Sequence, residues 1–196
     1  MIEYIQGEIA ELSPAQLIMD CNGIGYGLHI SLTTYSAFNG QTKGKIYVHE
    51  VIREDVHLLY GFATCEEREL FLLLNSVSGV GPNTARMILS ALPPAELIQV
   101  IASGDDKSLT LIKGIGTKTA QRIMIDLRNK VKTVESEAGK RQIRSDVRNE
   151  TVDGAVAALV MLGFQKTVSV KAVDSILKKT PAASVEQIIK DALKIL

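Results

Sequence analysis

The chain has no tryptophan, and aromatic side chains make up only 5% of its 196 residues, so its cores must be built mainly from aliphatic groups. Cysteine is equally scarce. Cys21 and Cys65 are too few for a disulfide framework or a zinc cluster, and both are expected to sit reduced in a cytoplasmic protein. Excess charge is missing too: 22 Lys and Arg balance 22 Asp and Glu. That excludes a protein that coats nucleic acid by net charge, so any grip on DNA must be local or made by backbone donors. The opening MIEYIQGEIAEL has neither the basic region nor the apolar run of a signal peptide, and no apolar stretch approaches a membrane span. The expectation is a soluble, intracellular protein without membrane contact.

Catalytic signatures are also absent. His29, His49 and His57 are scattered along expected strands without ligand spacing, which leaves no expected metal site. Gly40-Gln41-Thr42-Lys43-Gly44-Lys45-Ile46 superficially resembles a phosphate loop. It has three residues where four belong between the glycines, and Ile46 stands where a Ser or Thr would hold Mg²⁺. No Gly-x-Ser-x-Gly elbow occurs. No cofactor and no enzymatic activity of its own are expected.

What the chain does contain is a repeated turn. Val77–Leu89, VSGVGPNTARMIL, and Ile112–Met124, IKGIGTKTAQRIM, align at a constant offset of 35 residues. They share Gly79, Val80, Gly81, Thr84 and Ala85 with Gly114, Ile115, Gly116, Thr119 and Ala120. Gly-x-Gly between two helices permits φ > 0 and lets a partner approach without Cβ interference. It also leaves the first N–H groups of the following helix open to an anion. Two Gly-assisted corners without a ligand are the plainer interpretation for a single copy. Two copies in register favour a device that grips two backbone phosphates, one on each strand of a duplex. The expected contacts are the backbone around Gly79–Gly81 and Gly114–Gly116, with the Thr84 and Thr119 hydroxyls. Asn83 and Thr117 lie beside them, and Arg86, Lys113, Lys118 and Arg122 would add positive charge. Such contacts position DNA without reading its sequence.

Around these turns the chain reads as an α+β multidomain protein. Residues 1–63 carry five short alternating or β-branched runs, Ile2–Leu12, Ala15–Cys21, Gly25–Ser31, Lys45–Arg53 and Val56–Phe62. A short helical stretch, Leu32–Phe38, follows the third. This fits an OB-fold barrel, with an SH3-like barrel as the competing arrangement. Residues 64–132 are helical, from the capping-box spacing Thr64-Cys65-Glu66-Glu67 onward, with Ser108 expected to cap Leu109–Lys113. The charged stretch 133–149 reads as a mobile linker. Residues 150–196 show three helical patterns. The last has Ser184 and Gln187 at capping-box spacing and an apolar stripe Val185, Ile188, Ile189, Ala192, Leu193 and Leu196. So small a helical domain suits partner docking.

Glu54-Asp55 lies between two strand runs. A solvated hairpin tip is the plain interpretation. A divalent-ion or acid–base pair is the catalytic one, although no third acid or histidine stands at supporting spacing. Repulsion of phosphates, which would keep strands apart, is a third.

The chain resembles the RuvA family, the Holliday-junction-binding subunits of the bacterial RuvAB branch-migration machine. The resemblance is carried by MIEYIQGEI, Gly23-Ile24-Gly25-Tyr26 and Arg53-Glu54-Asp55-Val56-His57-Leu58-Leu59-Tyr60-Gly61-Phe62. It continues through Gly79-Val80-Gly81-Pro82, Gly114-Ile115-Gly116 and Ala157-Ala158-Leu159 to Leu162-Gly163-Phe164. It implies an OB-fold, a tandem helix-hairpin-helix domain and a small three-helix domain. It also implies a homotetramer, or two face to face, holding a four-way junction open for branch migration in recombination and repair. Glu54 and Asp55 would then be acidic pins at the junction centre. Leu159, Leu162 and Phe164 would dock the RuvB motor ATPase, with the RuvC resolvase a further candidate partner. Relatives often carry Lys at the positions of Asn83 and Thr117, and Arg86 is expected to compensate. The barrel portion holds seven acids against three bases, which throws weight onto backbone and hydroxyl contacts. A helix-hairpin-helix nuclease with a metal on Glu54-Asp55, and a protein-interaction scaffold, are the two competing functions.

Overall fold

Alternating apolar residues give each of the first five strands one inward face. In the computed structural model, which describes residues 1–131, 147–180 and 183–196, these strands are β1 (Tyr4–Ser13), β2 (Gln16–Cys21), β3 (Ile24–Ile30), β4 (Lys43–Ile52) and β5 (His57–Phe62). They close into a barrel in the order β1-β2-β3-β5-β4. Only β3 and β5 pair in parallel, at Leu28↔Leu59, His29↔Tyr60 and Ile30↔Gly61. A parallel pair needs a crossover, which helix α1 (Leu32–Phe38) and β4 supply. That topology is the OB-fold and not the SH3-like alternative.

Strand β1 serves two neighbours, β4 through Tyr4–Glu8 and β2 through Glu8–Ser13, with a bulge between Ile9 and Glu11. Gly7 sits at the bend, where a Cβ would lie 2.1 Å from the Asp20 carbonyl oxygen, so only glycine allows the strands to approach so closely. Strand β4 begins two residues earlier than its apolar pattern predicts, because Lys43 and Gly44 extend the ladder opposite Glu8 and Gly7. Leu17, Met19, Leu28, Ile30, Ile46 and Val48 fill the barrel.

The helices that follow are α2 (Cys65–Asn75), α3 (Pro82–Ala91), α4 (Pro94–Ser103), α5 (Asp106–Thr110) and α6 (Thr117–Leu127). Thr64 caps α2 by accepting from the Glu67 N–H at 3.1 Å. Ser108 is not the cap of α5. Asp105 takes that place, its carboxylate accepting from the Ser108 N–H and hydroxyl at 3.3 and 2.5 Å. The helix therefore starts and ends earlier than expected. One core unites Tyr60 and Phe62 of β5 with Phe71 and Leu74 of α2, Ile88 and Leu89 of α3, and Ile123 and Leu127 of α6. The Phe62 and Phe71 rings stand 4.8 Å apart. Each such fully buried side chain contributes roughly 1.5–3 kcal/mol by leaving water, so barrel and helices are welded by the same burial.

The chain divides into two compact units, Met1–Gln142 and Ile143–Leu196. The expected linker, 133–149, lies outside the described residues except for its last three positions, which open α7 (Val147–Met161). With α8 (Lys166–Lys179) and α9 (Val185–Ala192), α7 encloses a small core of Ala155, Leu159, Val173, Ile176 and Ile188. Gly163, at φ 100, ends α7 in a left-handed turn in which the Phe164 N–H reaches the Leu159 carbonyl at 3.1 Å. The Ser184 hydroxyl oxygen caps α9, but Gln187 reaches forward to Asp191 at 2.8 Å, so the capping box is half made. Helix α9 stops at Ala192, which leaves Leu193 and Leu196 exposed and shortens the predicted apolar stripe.

Candidate nucleic-acid interface

The two glycine turns share one backbone. Gly79 and Gly114 have φ 91 and 90, and the next residue but one, Gly81 or Gly116, is extended and caps a helix. In each turn the middle residue donates its N–H back three residues at 3.0 Å, Val80 to Val77 and Ile115 to Ile112. The Val80 and Ile115 side chains plug the core, so only their backbone remains for a ligand. All four glycines are exposed, and a Cβ built on any of them would meet nothing within 4 Å. No side chain caps α3 or α6. The open N-terminal N–H groups and positive helix ends therefore face outward, which is the chemistry an anionic oxygen needs.

Side-chain charge is distributed unequally between the repeats. Lys113, Lys118 and Arg122 are all exposed around the second turn, with Thr117 exposed and Thr119 half-buried beside them. The corresponding residues of the first repeat are Ser78, Asn83 and Met87, none of them charged. Asn83 is exposed and its Oδ1 accepts from the Tyr60 hydroxyl at 3.3 Å, while Thr84 is half-buried. Arg86 departs from the expected role of compensating charge. Its Nη1 donates to the Ile30 and Ala15 carbonyls at 3.1 and 3.4 Å, in the seam against the barrel.

The acidic pair sits at the end of the β4–β5 hairpin. The ladder closes at Ile52↔His57, and the Arg53 N–H donates to the Val56 carbonyl at 2.8 Å, so Glu54 and Asp55 occupy the exposed turn. Among the described residues no group of three or more His, Cys, Asp or Glu comes together. The tip and the first glycine turn belong to one packed body, since β5 carries Tyr60 and Phe62 into the core that holds Val80.

Glu67 escaped the sequence reading except as a capping residue. Its carboxylate is buried and accepts from the Ser31 hydroxyl, the Thr34 hydroxyl at 2.7 Å and the Ala63 N–H at 3.2 Å. Burial pushes its pKa above the ordinary carboxylate value, and those hydrogen bonds pull back toward the charged form. A Glu at the N3 position followed by apolar helix is the usual cap signal, so the spacing alone gave no sign of a buried tie. In the second unit Leu159 is wholly buried and is a core residue, not a contact surface. It lies on the inward stripe of α7 with Ala155. Leu162 is 59% exposed, Phe164 is half-buried, and Met161, which the sequence reading passed over, is 89% exposed.

Comparison with known proteins covers both units. The family model described as RuvA N terminal domain matches residues 1–61, SAM-like helix-hairpin-helix tandem matches 71–129, and RuvA, C-terminal domain matches 151–196. A protein of Parabacteroides distasonis is 64% identical over 196 residues, covering 100% of both chains. One of Bacteroides fragilis is 56% identical over 201 residues, and one of Porphyromonas gingivalis 47% over 202, covering at least 99% of each chain. All three are named Holliday junction branch migration complex subunit RuvA. No single helix among the described residues is long and apolar enough to cross a membrane.

Proposed function

The chain belongs to the RuvA family, and from that premise we propose that it is a non-catalytic subunit that binds four-way DNA junctions, holds them open and recruits a RuvB-type ATPase. One observation carries the reading: two superposable glycine turns and an acidic hairpin tip are built on one continuous core. A turn of this kind holds a phosphate through N–H groups and helix dipole, with no dependence on base identity. Two turns per chain hold both strands of one duplex arm. Four copies of the chain, arranged around a centre, hold four arms. Glu54 and Asp55 then face the crossover, where carboxylates repel phosphates and keep the strands from re-pairing across the centre.

Residues 1–63 thus supply the pin and the contacts between copies, and 64–132 the grip. Residues 150–196 supply the motor contact, through the exposed apolar ridge at Met161 and Leu162. The work of moving the junction comes from ATP hydrolysis on the partner. The protein acts in the cytoplasm, where both junction and motor are available.

The test is gel-shift binding to a four-way junction and to a linear duplex of the same length, with and without Mg²⁺. The expected result is strong preference for the junction and no strand cleavage. Equal affinity for both substrates would refute the reading, and metal-dependent cleavage abolished by Glu54→Gln would replace it with a nuclease.

A further inference from the structure

We infer that Arg86 is a positioning residue and not a phosphate ligand: acting through the corner between β3 and α1, it fixes the first glycine turn relative to the acidic tip. The inference rests on the junction-binding reading above.

The corner runs from Ile30 to Thr34, and α3 and α2 hold it from two directions. From α3, Arg86 Nη1 donates to the Ile30 carbonyl at 3.1 Å and the Ala15 carbonyl at 3.4 Å. Ser90 Oγ accepts from the Leu32 N–H at 3.1 Å and donates to the Arg86 carbonyl at 2.8 Å. The Leu89 carbonyl accepts from the Thr33 hydroxyl at 2.7 Å. From α2, Glu67 takes the hydroxyls of Ser31 and Thr34. Apolar packing alone tolerates small rotations of a helix against a barrel. A set of directional hydrogen bonds onto consecutive residues does not.

Both functional features hang on this corner. Helix α3 begins at the first glycine turn, so a rotation of α3 at Arg86 swings Gly79 and Gly81 directly. On the other side, β3 is paired with β5 at Ile30↔Gly61 and His29↔Tyr60, and β5 with β4 forms the hairpin that ends in Glu54 and Asp55. The Tyr60 hydroxyl adds a cross-tie to Asn83 in the first turn of α3. His29 stacks on Tyr60 with ring centroids 5.6 Å apart. The His29 pKa is held below its ordinary value by burial and then by the charge of Arg86, which places the guanidinium against the barrel rings.

Two further facts separate Arg86 from the phosphate chemistry. Its Nε is buried and has no hydrogen-bond partner, so that edge of the guanidinium does not face solvent. The repeat also omits the clamp. The positions equivalent to Arg86 and Ser90 in the second copy are Gln121 and Ile125, and Ile125 is 78% exposed. A residue required by the shared turn chemistry would recur in both copies.

The test uses the full-length chain and two variants, Arg86→Gln and Thr33→Val, the second of which removes a corner hydrogen bond without touching any charge. Affinities for a four-way junction and for a linear duplex are measured over a salt series, at a temperature where circular dichroism shows all three proteins folded. The expected result is a junction-to-duplex ratio lowered about tenfold by Arg86→Gln and several-fold by Thr33→Val, with the salt slope on duplex unchanged. A salt slope reduced by about one, with both affinities falling together, makes Arg86 a phosphate ligand and overturns the inference. An unchanged ratio and slope with only a lower melting temperature also overturns it, leaving a purely structural role. A wild-type ratio of one refutes the junction-binding reading and, with it, this inference. A high wild-type ratio that both variants retain refutes the inference alone.

Discussion

Gly79 and Gly114 stand 35 residues apart and adopt the same left-handed backbone, φ 91 and 90, each with open space where a Cβ would be. Gly81 and Gly116 also face open space, but at φ −87 and −83, a conformation any residue adopts. This separates strain from access. Gly79→Ala and Gly114→Ala should each cost about 1–2 kcal/mol of stability from the backbone alone. Gly81→Ala and Gly116→Ala should stay within about 1 kcal/mol of the wild type, yet weaken duplex binding by roughly tenfold, because a methyl then stands where the phosphate approaches. Thermal melts paired with binding curves check both halves. Unimpaired binding by Gly81→Ala and Gly116→Ala together would reduce the turns to structural corners.

The unequal charge of the repeats predicts where the salt dependence resides. Lys118 and Arg122 are exposed at the second turn, while their counterparts Asn83 and Met87 are neutral. Lys118→Gln and Arg122→Gln should each lower the slope of log affinity against log salt by about 0.9 per phosphate released. Asn83→Ala should leave that slope unchanged. Filter-binding at several salt concentrations measures it.

Much of this was legible in the sequence, and the failures share a cause. The repeated Gly-hydrophobic-Gly signal identified both turns because backbone conformation at glycine is a local property. The acidic tip followed from two strand patterns meeting at Glu54-Asp55. Arg86 and Leu159 were misjudged because their roles are set by what the chain folds against them: barrel carbonyls for Arg86, and α8 and α9 for Leu159. Glu67 was hidden for the same reason, since its hydroxyl partners lie more than thirty residues away. Helix ends were missed where two caps competed, as at Asp105 and Ser108.

Removing the acidic tip should change shape more than affinity. Glu54→Ala combined with Asp55→Ala deletes two exposed carboxylates from a turn held by the Arg53–Val56 backbone pair, so the hairpin survives. Each carboxylate near a phosphate costs up to about 1 kcal/mol in a water-like medium. Junction affinity should therefore hold or rise, by up to about tenfold, while motor-driven branch migration slows or loses its open geometry. Fluorescence transfer between labelled arms reports the geometry. A large loss of affinity would show that the acids contact DNA favourably.

The second unit offers a contrast within one helix. Leu159 is fully buried and Met161 is 89% exposed. Leu159→Ala should cost about 2–5 kcal/mol of this small unit's stability and lose motor stimulation only by unfolding it. Met161→Ala and Leu162→Ala should alter stability by no more than about 0.5 kcal/mol while weakening the ATPase contact by more than about 1 kcal/mol. Stimulated ATPase activity, compared with the melting of the same variants, separates the two outcomes.

Glu67 gives the chain a specific dependence on pH. Burial raises its folded-state pKa above the unfolded value, and the Ser31, Thr34 and Ala63 hydrogen bonds only partly offset this. The folded state therefore binds the proton more tightly than the unfolded chain. The stability linked to that proton is fully present below the unfolded pKa and is lost as pH rises through the folded one. Other carboxylates titrate in the same range, so the measurement is a difference. The stability of wild type minus that of Glu67→Gln should increase as pH is lowered from neutrality toward the ordinary carboxylate range. At neutral pH the amide should cost little, since it removes a buried charge and keeps most of the hydrogen-bonding shape. Denaturant melts of both proteins across that pH interval decide the matter. A difference that stays flat, or that falls on acidification, would mean Glu67 folds with its charge fully stabilised by its three donors.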